Sequence, residues 1–351
     1  LDPVALKQRL QEKARELGFD LCRVAPAGPP PHAEAFHQWI ADGHAGEMAW
    51  LAKNADRRTQ PELVLPGVRS IVIVAKSYAP PTSLPSPVAT VARYALGEDY
   101  HDVLTPRIRE LEEVLAAQGG RQRSYIDTGP VLERDFAALA GIGWHGKSTM
   151  LISKELGAFF FLGSLLTTLE LPPDPPARDH CGKCTRCIDI CPTGAITAPH
   201  HLDARRCVAY LTIELKGSIP EPLRPLIGDR IYGCDDCAAV CPWNRFAKTS
   251  TEARFAALPA LASFTLRDFL ALDELAFRTL FRGSPIKRIK RRGFLRNVCV
   301  ALGNTGSAED LPPLQKLTLD PEPLIAEHAL WAVRQIEARL ATVSAPQTPA
   351  P

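Results

Sequence analysis

The feature that most restricts this chain is one run of cysteines, Cys181-x2-Cys184-x2-Cys187-x3-Cys191-Pro192. Three thiolates two residues apart can wrap successive corners of one iron–sulfur cubane. The chain then leaves under Pro192 and carries the fourth thiolate to a second cluster. A complete second copy would need cysteines at 231, 234, 237 and 241, but position 231 is Ile231. Cys207, expected to arrive from a helix, fills the gap. One [4Fe–4S] cluster then takes Cys181, Cys184, Cys187 and Cys241, and the other takes Cys191, Cys207, Cys234 and Cys237. Two structural zinc sites are the competing assignment, because zinc favours paired Cys-x2-Cys spacings. The triplet, and a Cys-Pro step ending each run, favour iron–sulfur.

Eight of the ten cysteines serve that layout, which belongs to a reducing compartment rather than to a disulfide framework, and a cytoplasmic location is expected. Cys22 and Cys299 remain and read as structural thiols. No apolar run is long enough to span a bilayer, Ala158–Leu166 falling far short. The opening Leu1-Asp2-Pro3-Val4 has neither a basic-then-apolar leader nor a twin-arginine signal. The formal net charge of +2 excludes a general polycation. The charge is concentrated, however: Arg282, Lys287, Arg288, Lys290, Arg291, Arg292 and Arg296 lie together with no acidic residue among them. Such a run is either a solvated face or a nucleic-acid contact.

With 351 residues the chain has room for two or three domains. Leu6, Leu10 and Ala14 recur at helical spacing over Asp2–Leu17, and Ala33–Ala41 and the Met48 region read as short helices. Arg69–Tyr78 is a buried strand, Pro80–Pro87 a loop, Tyr100–Gln118 an amphipathic helix and Ser124–Ile126 a short strand. Gly129-Pro130 is expected to open another helix, proline being tolerated at a first helical position. Thr149–Ser153 and Phe159–Leu171 read as strands. This mixture predicts an α+β domain over 1–172. The proline-rich Leu171-Pro-Pro-Asp-Pro-Pro marks a boundary, followed by a two-cluster domain over 173–250. Phe294–Leu302, Leu311–Leu319 and Pro323–Leu340 then form successive apolar helices of a solenoid-like pattern within 251–343, with 344–351 a frayed, flexible tail.

Two short motifs mislead. Gly141-Ile-Gly-Trp-His-Gly146-Lys147-Ser148 has the letters of a phosphate-binding loop. That loop needs a strand before it and a helix after it, whereas Leu132–Ala140 reads as helix and β-structure follows. Asp127-Thr128-Gly129 matches the aspartic protease signature, which needs two copies, and there is one. Asp127 is therefore open to two readings, a turn or cap carboxylate or a general acid.

Beyond these motifs, the chain resembles the epoxyqueuosine reductase family, cobalamin-dependent iron–sulfur enzymes of tRNA modification. The resemblance rests on Gly97-Glu-Asp-Tyr-His-Asp-Val-Leu104, Asp127-Thr-Gly-Pro, Ala140-Gly-Ile-Gly-Trp-His-Gly-Lys147, Arg230-Ile-Tyr-Gly-Cys234, both cysteine runs and the helical C-terminal part. It covers nearly the whole chain except the tail. It implies a nitroreductase-like cobalamin-binding domain, a ferredoxin-like two-cluster domain and a HEAT-like repeat that grips tRNA through the basic run 282–296. The implied reaction reduces the epoxide of epoxyqueuosine, at the wobble position of tRNA, to queuosine. Electrons would come from a low-potential donor through the two clusters to base-off cobalamin. The resemblance makes Asp127 the proton donor and places Asp99 and His101 at the active site. It places Arg58, Ala92, Leu151, Leu162 and Lys216, with Asp127, against the corrin. Asp99-Tyr100-His101 resembles the start of an Asp-x-His-x-x-Gly cobalamin motif, but position 104 is Leu104, so His101 reads as an active-site polar residue or a structural histidine rather than an axial ligand. A reductive dehalogenase-like reductase of small molecules is the alternative. Nothing in the sequence demands more than a monomer.

Overall fold

The computed structural model describes residues 2–79 and 90–344, leaving aside the side chains at 260, 262, 343 and 344. The loop expected at 80–87 and the tail at 345–351 lie outside the described residues. The chain divides into two compact units, each assembled from separated stretches. Leu1–Ser83, Glu98–Arg205 and Asp235–Ala256 form one; Leu84–Gly97, Arg206–Cys234 and Ala257–Pro351 form the other. The proline-rich stretch after Leu171 lies within the first of these units. Leu171 is buried, the Asp174 amide donates to Val24 O, and the Asp174 carboxylate pairs with Lys7 at 2.9 Å.

The first unit is built on a four-stranded antiparallel sheet in the order Leu21–Pro26, Ser70–Ser77, Phe160–Thr167, Gln122–Tyr125. All eight residues of Ser70–Ser77 are buried, as expected of a strand covered on both faces. Strand side chains alternate between faces. Ile71, Ile73 and Ala75 enter a core with Phe136 and Ala137 of helix Glu133–Leu139. Val74 faces the other way, where it and Ile108 of helix Tyr100–Ala116 flank Gly163. Asp2 caps helix Pro3–Glu16 by accepting from the amides of Val4 and Ala5, and the predicted stripe of Leu6, Leu10 and Ala14 is the buried one. The helix at Ala33–Ala41 has the expected limits.

The helix expected from Pro130 begins instead at Glu133. Asp127 has φ +61°, and the Thr128 amide donates to Ile126 O at 2.6 Å. The chain therefore turns tightly about Asp127 before it can enter helical geometry.

The second unit centres on helix Lys290–Thr305, whose residues from Gly293 through Gly303 are all buried. Helix Pro323–Ser344 packs beside it and helix Leu311–Leu317 packs on Pro323–Ser344, both close to the predicted limits. Gly303 allows this approach, since a Cβ there would lie 2.3 Å from the Trp331 ring. Thr90–Val91 pairs in parallel with Arg230–Tyr232. A π-helical turn at Tyr210–Glu214 offsets the backbone ladder, and its freed carbonyls are taken by the central helix. Leu211 O accepts from Arg296, and Thr212 O accepts from Asn297.

Cys299 is fully buried and Cys22 partly so, and burial pushes both thiols up to about 12. That fits the inert structural role expected of them. Among the described residues no helix is long and apolar enough to cross a membrane.

Candidate active site and iron–sulfur centre

Cys181, Cys184, Cys187 and Cys241 line one cavity of about 210 Å³, with Lys147, His180 and Trp243 on its wall and with Cys237, assigned from the sequence to the other set, lining it too. They bear no disulfide. Burial and the neighbouring Cys181 and Cys184 push the Cys187 thiol up, and burial with all three other cysteines does the same to Cys241. Four thiols lining one cavity are the donor set of an iron–sulfur cluster, whose multivalent core would neutralise their charge. Short helices at Arg186–Asp189 and Asp236–Ala239 pack together and bring Cys187 and Cys241 into the group.

Of the second ligand set, Cys191 Sγ accepts the Ala195 amide at 3.3 Å. Cys207 stands at the start of a helical turn, its carbonyl accepting from the Leu211 amide at 2.9 Å. Cys191 and Cys237 fall in the first unit, Cys207 and Cys234 in the second.

The phosphate-loop look-alike serves the cluster cavity. Helix Glu133–Leu139 precedes it and strand Leu151–Ile152 follows, the reverse of what phosphate binding needs. Lys147 Nζ donates to Gly182 O at 2.7 Å and Cys184 O at 3.0 Å, pinning the loop that carries the first two cluster cysteines.

Asp127 lies at the centre of a group of polar side chains. The Thr128-to-Ile126 bond and the positive φ make the turn about Asp127 a γ-turn of the rare, strained kind, in a conformation non-glycine residues seldom adopt. Two hydrogen bonds hold it, Tyr100 Oη donating to Asp127 Oδ2 at 2.7 Å and Arg58 Nη1 donating to Gly129 O at 3.2 Å, and the Glu133 carboxyl lies close enough to feel the charge of Asp127. Gly129 is required here, since a Cβ would meet the Tyr125 ring at 2.3 Å. Burial lowers the Arg58 pKa, opposed by Glu133 and Asp127, and its buried Nε has no protein partner. Burial and the charge of Asp127 push Glu133 up to about 8, against the hydrogen bond from Ser164, the backbone of Asp127 and the charge of Arg58.

Asp99 caps helix Tyr100–Ala116 by accepting from the His101 amide, and the same oxygen lies 2.8 Å from His101 Nδ1. The Tyr100 ring sits 4.1 Å from the His101 ring and stacks on Phe161. Tyr100 thus links the Asp99–His101 pair to Asp127. Tyr100 stood inside a quoted motif without a role, and Glu133 carried no signal beyond being an acidic residue in a helix's first turn.

The remaining predicted residues are scattered. Leu151 is buried in the sheet core and Leu162 packs against it, so Leu151 has little but backbone to offer a ligand. Ala92 and Lys216 belong to the second unit. The Ala92 amide donates to Tyr232 O, and Lys216 Nζ donates to Ile213 O. Of the basic run, Arg282, Lys287, Arg288, Lys290 and Arg292 are exposed. Arg291 donates to Leu272 O and pairs with Asp320 at 2.8 Å. Arg296 corrects the sequence reading: it is 1% exposed and donates to Leu211 O, Leu215 O, Gly217 O and Asn297, which leaves nothing for RNA.

The clustered thiols, with a strained polar group elsewhere in the same unit, define an iron–sulfur oxidoreductase. Comparison with known proteins agrees. Residues 180–244 match the 4Fe-4S double cluster binding domain, and residues 58–128 match the family described as Epoxyqueuosine reductase QueG, DUF1730. The epoxyqueuosine reductase of Xanthomonas campestris pv. campestris is 44% identical over 344 residues, covering 95% of this chain and 97% of the relative. That of Escherichia coli K12 is 40% identical, covering 99% and 94%. Among solved structures, an epoxyqueuosine reductase with an epoxyqueuosine-modified tRNA-Tyr stem loop matches with TM-score 0.87 and 31% identity, covering 98% of this chain and 95% of that one. The Bacillus subtilis enzyme, solved with its catalytic aspartate loop swung out of the active site, matches with TM-score 0.86, 30% identity and the same coverage.

The chain belongs to the epoxyqueuosine reductase family. Its cofactors are those of the family, two [4Fe–4S] clusters and cobalamin.

Proposed function

We propose that this chain reduces the epoxide of epoxyqueuosine at the wobble position of tRNA to the carbon–carbon double bond of queuosine, with Asp127 as proton donor. The reaction takes two electrons and two protons and releases the epoxide oxygen as water. Cobalamin, when bound, supplies the low-potential electron chemistry that no side chain offers. The observation that carries the role of Asp127 is its strained turn, held by Tyr100 and Arg58, since strain of this kind gathers at functional sites. A carboxyl so fixed can deliver a proton to the departing oxygen as negative charge builds there. Tyr100 orients the carboxyl, and Asp99 and His101 extend the polar wall.

Arg58, with its unpartnered buried Nε, fits an amide or phosphate group of cobalamin. Leu151 and Leu162, and in the other unit Ala92 and Lys216, are read as further corrin contacts from the family resemblance. The antiparallel sheet with helices on both faces supports a nitroreductase-like body for 1–172. The two ligand sets support ferredoxin-like electron delivery from 173–250, and the paired helices support a HEAT-like 251–343. Exposed Arg282, Lys287, Arg288, Lys290 and Arg292 supply the charge for tRNA phosphates, with a relative crystallised on a tRNA stem loop in support. The protein works as a cytoplasmic monomer fed by a low-potential electron donor. The reductive dehalogenase-like alternative gives way to the family match over nearly the full chain.

The test is anaerobic turnover of epoxyqueuosine-containing tRNA with a low-potential reductant, with and without cobalamin, read by nucleoside mass spectrometry. Loss of one oxygen only with cobalamin is expected, falling about 10²–10⁴-fold in Asp127→Asn. An unchanged rate in that variant removes Asp127 from the chemistry. No oxygen loss from a fully loaded preparation overturns the substrate.

A further inference from the structure

Away from the Asp127 group, the first unit brings together two histidines and an aspartate that no step above uses. Asp135 lies on helix Glu133–Leu139 and is only 3% exposed, yet no lysine or arginine pairs with it among the described residues. Its neighbours are imidazoles. His32 Nδ1 lies 2.9 Å from Asp135 Oδ1, and His145 Nε2 lies 2.8 Å from the same oxygen. The second oxygen, Oδ2, accepts the His32 backbone amide at 2.9 Å, which fixes the plane of the carboxylate and turns Oδ1 toward the rings. The three donor atoms all fall within 4.8 Å of one another.

We propose that His32, Asp135 and His145 form a binding site for a borderline first-row divalent cation, with zinc the ion that fits best. Two imidazole nitrogens and one carboxylate oxygen are a set that zinc takes in three-ligand sites, leaving a fourth position for water. Donors around a tetrahedral zinc lie about 3.3 Å apart, given metal–ligand bonds of about 2.0–2.2 Å. The two nitrogen–oxygen spacings need to open by about 0.4–0.5 Å, and the two nitrogens already lie within 4.8 Å of each other. His145 Nε2 is shielded from solvent and makes no hydrogen bond of acceptable direction, as a ligand nitrogen awaiting a cation would. The His32 side chain is 56% exposed, so the open position faces water. The amide bond to Oδ2 is the kind of outer contact that orients metal-binding carboxylates.

The three ligands come from the turn before helix Ala33–Ala41, from helix Glu133–Leu139 and from strand Trp144–His145. A cation would tie these together two residues before Lys147, which pins the cluster loop. Its effect would be to stiffen the support of the first iron–sulfur centre, not to join the redox chemistry.

The probe is zinc alone, added to holoprotein with both clusters verified by iron and sulfide content and stripped of loose metal by a chelator. Competition titration against a zinc-buffering chelator gives affinity, and zinc K-edge X-ray absorption gives the ligands. One equivalent of zinc in a shell of nitrogen and oxygen only is expected. Affinity should fall more than about tenfold in both His32→Ala, whose side chain is 56% exposed, and His145→Gln. No retained zinc, a shell containing sulfur, or unchanged affinity in His32→Ala would each overturn the site.

Discussion

Glu133 offers a quantitative test of the geometry around Asp127. Its carboxyl, pushed up to about 8 by burial and by Asp127, stays protonated in the folded chain well above the pH at which an unfolded glutamate ionises, near 4.3. Between those values the folded state binds one more proton than the unfolded state, so stability falls as pH rises. The contribution is complete below the unfolded value and is lost as pH passes through the folded one. The slope approaches about 1.4 kcal/mol per pH unit, and from pH 6 to pH 8 the loss reaches up to ~2 kcal/mol. In Glu133→Gln the amide oxygen still accepts from Ser164, but the titrating proton is gone. Thermal unfolding of wild type and variant at pH 6, 7 and 8, under anaerobic conditions, isolates the effect, because every other titrating group cancels in the difference. The wild-type midpoint should fall relative to the variant by about 4–8 °C across that range. Parallel profiles would mean that Glu133 ionises as an ordinary surface carboxylate, and the reasoning about its contact with Asp127 would fail.

The basic run separates into two kinds of residue with opposite phenotypes. Arg296→Met leaves the carbonyls of Leu211, Leu215 and Gly217, the first of them at a buried residue, without this donor and should cost a few kcal/mol (about 2–4), seen as a depressed unfolding midpoint or loss of soluble protein. The double variant Lys287→Ala/Arg292→Ala should leave the midpoint unchanged while weakening tRNA binding several-fold at low salt and less at high salt, measured by filter binding. Lys147→Met releases Gly182 O and Cys184 O and should speed iron loss to a chelator several-fold, followed by the visible absorbance of the clusters.

What could be read in advance depended on how local the cause was. The grouping of Cys181, Cys184 and Cys187 about one cavity follows from spacing along a short stretch, and the helix at Ala33–Ala41 from local periodicity. The phosphate-loop letters could be discounted because the elements on either side were legible too. The start of the helix at Glu133 was not, because the Asp127 turn is held by Tyr100 and Arg58, which are remote in sequence. Arg296 was misread for a related reason. A run of basic residues reports charge, not facing, and the partners of this guanidinium are carbonyls beside a π-turn some eighty residues earlier, at |i−j| of 79 to 85. The division into units was equally hidden, since it rests on pairings such as Thr90–Val91 with Arg230–Tyr232.

That last pairing sets a timetable for synthesis. Thr90 and its hydrogen-bonding partner Asp229 are 139 residues apart, so a ribosome adding about 5–20 residues per second delivers the partner about 7–30 seconds after the first strand emerges. During that interval Thr90–Val91 must be kept from rival edges. The first unit waits as well, because its stretch Asp235–Ala256 emerges later still and carries Cys241, the last member of its cluster set. Metal delivery to that set therefore waits for residue 241 of 351 to emerge, and a nascent chain stalled before Cys241 would expose Cys181, Cys184 and Cys187 without the fourth thiol of the set.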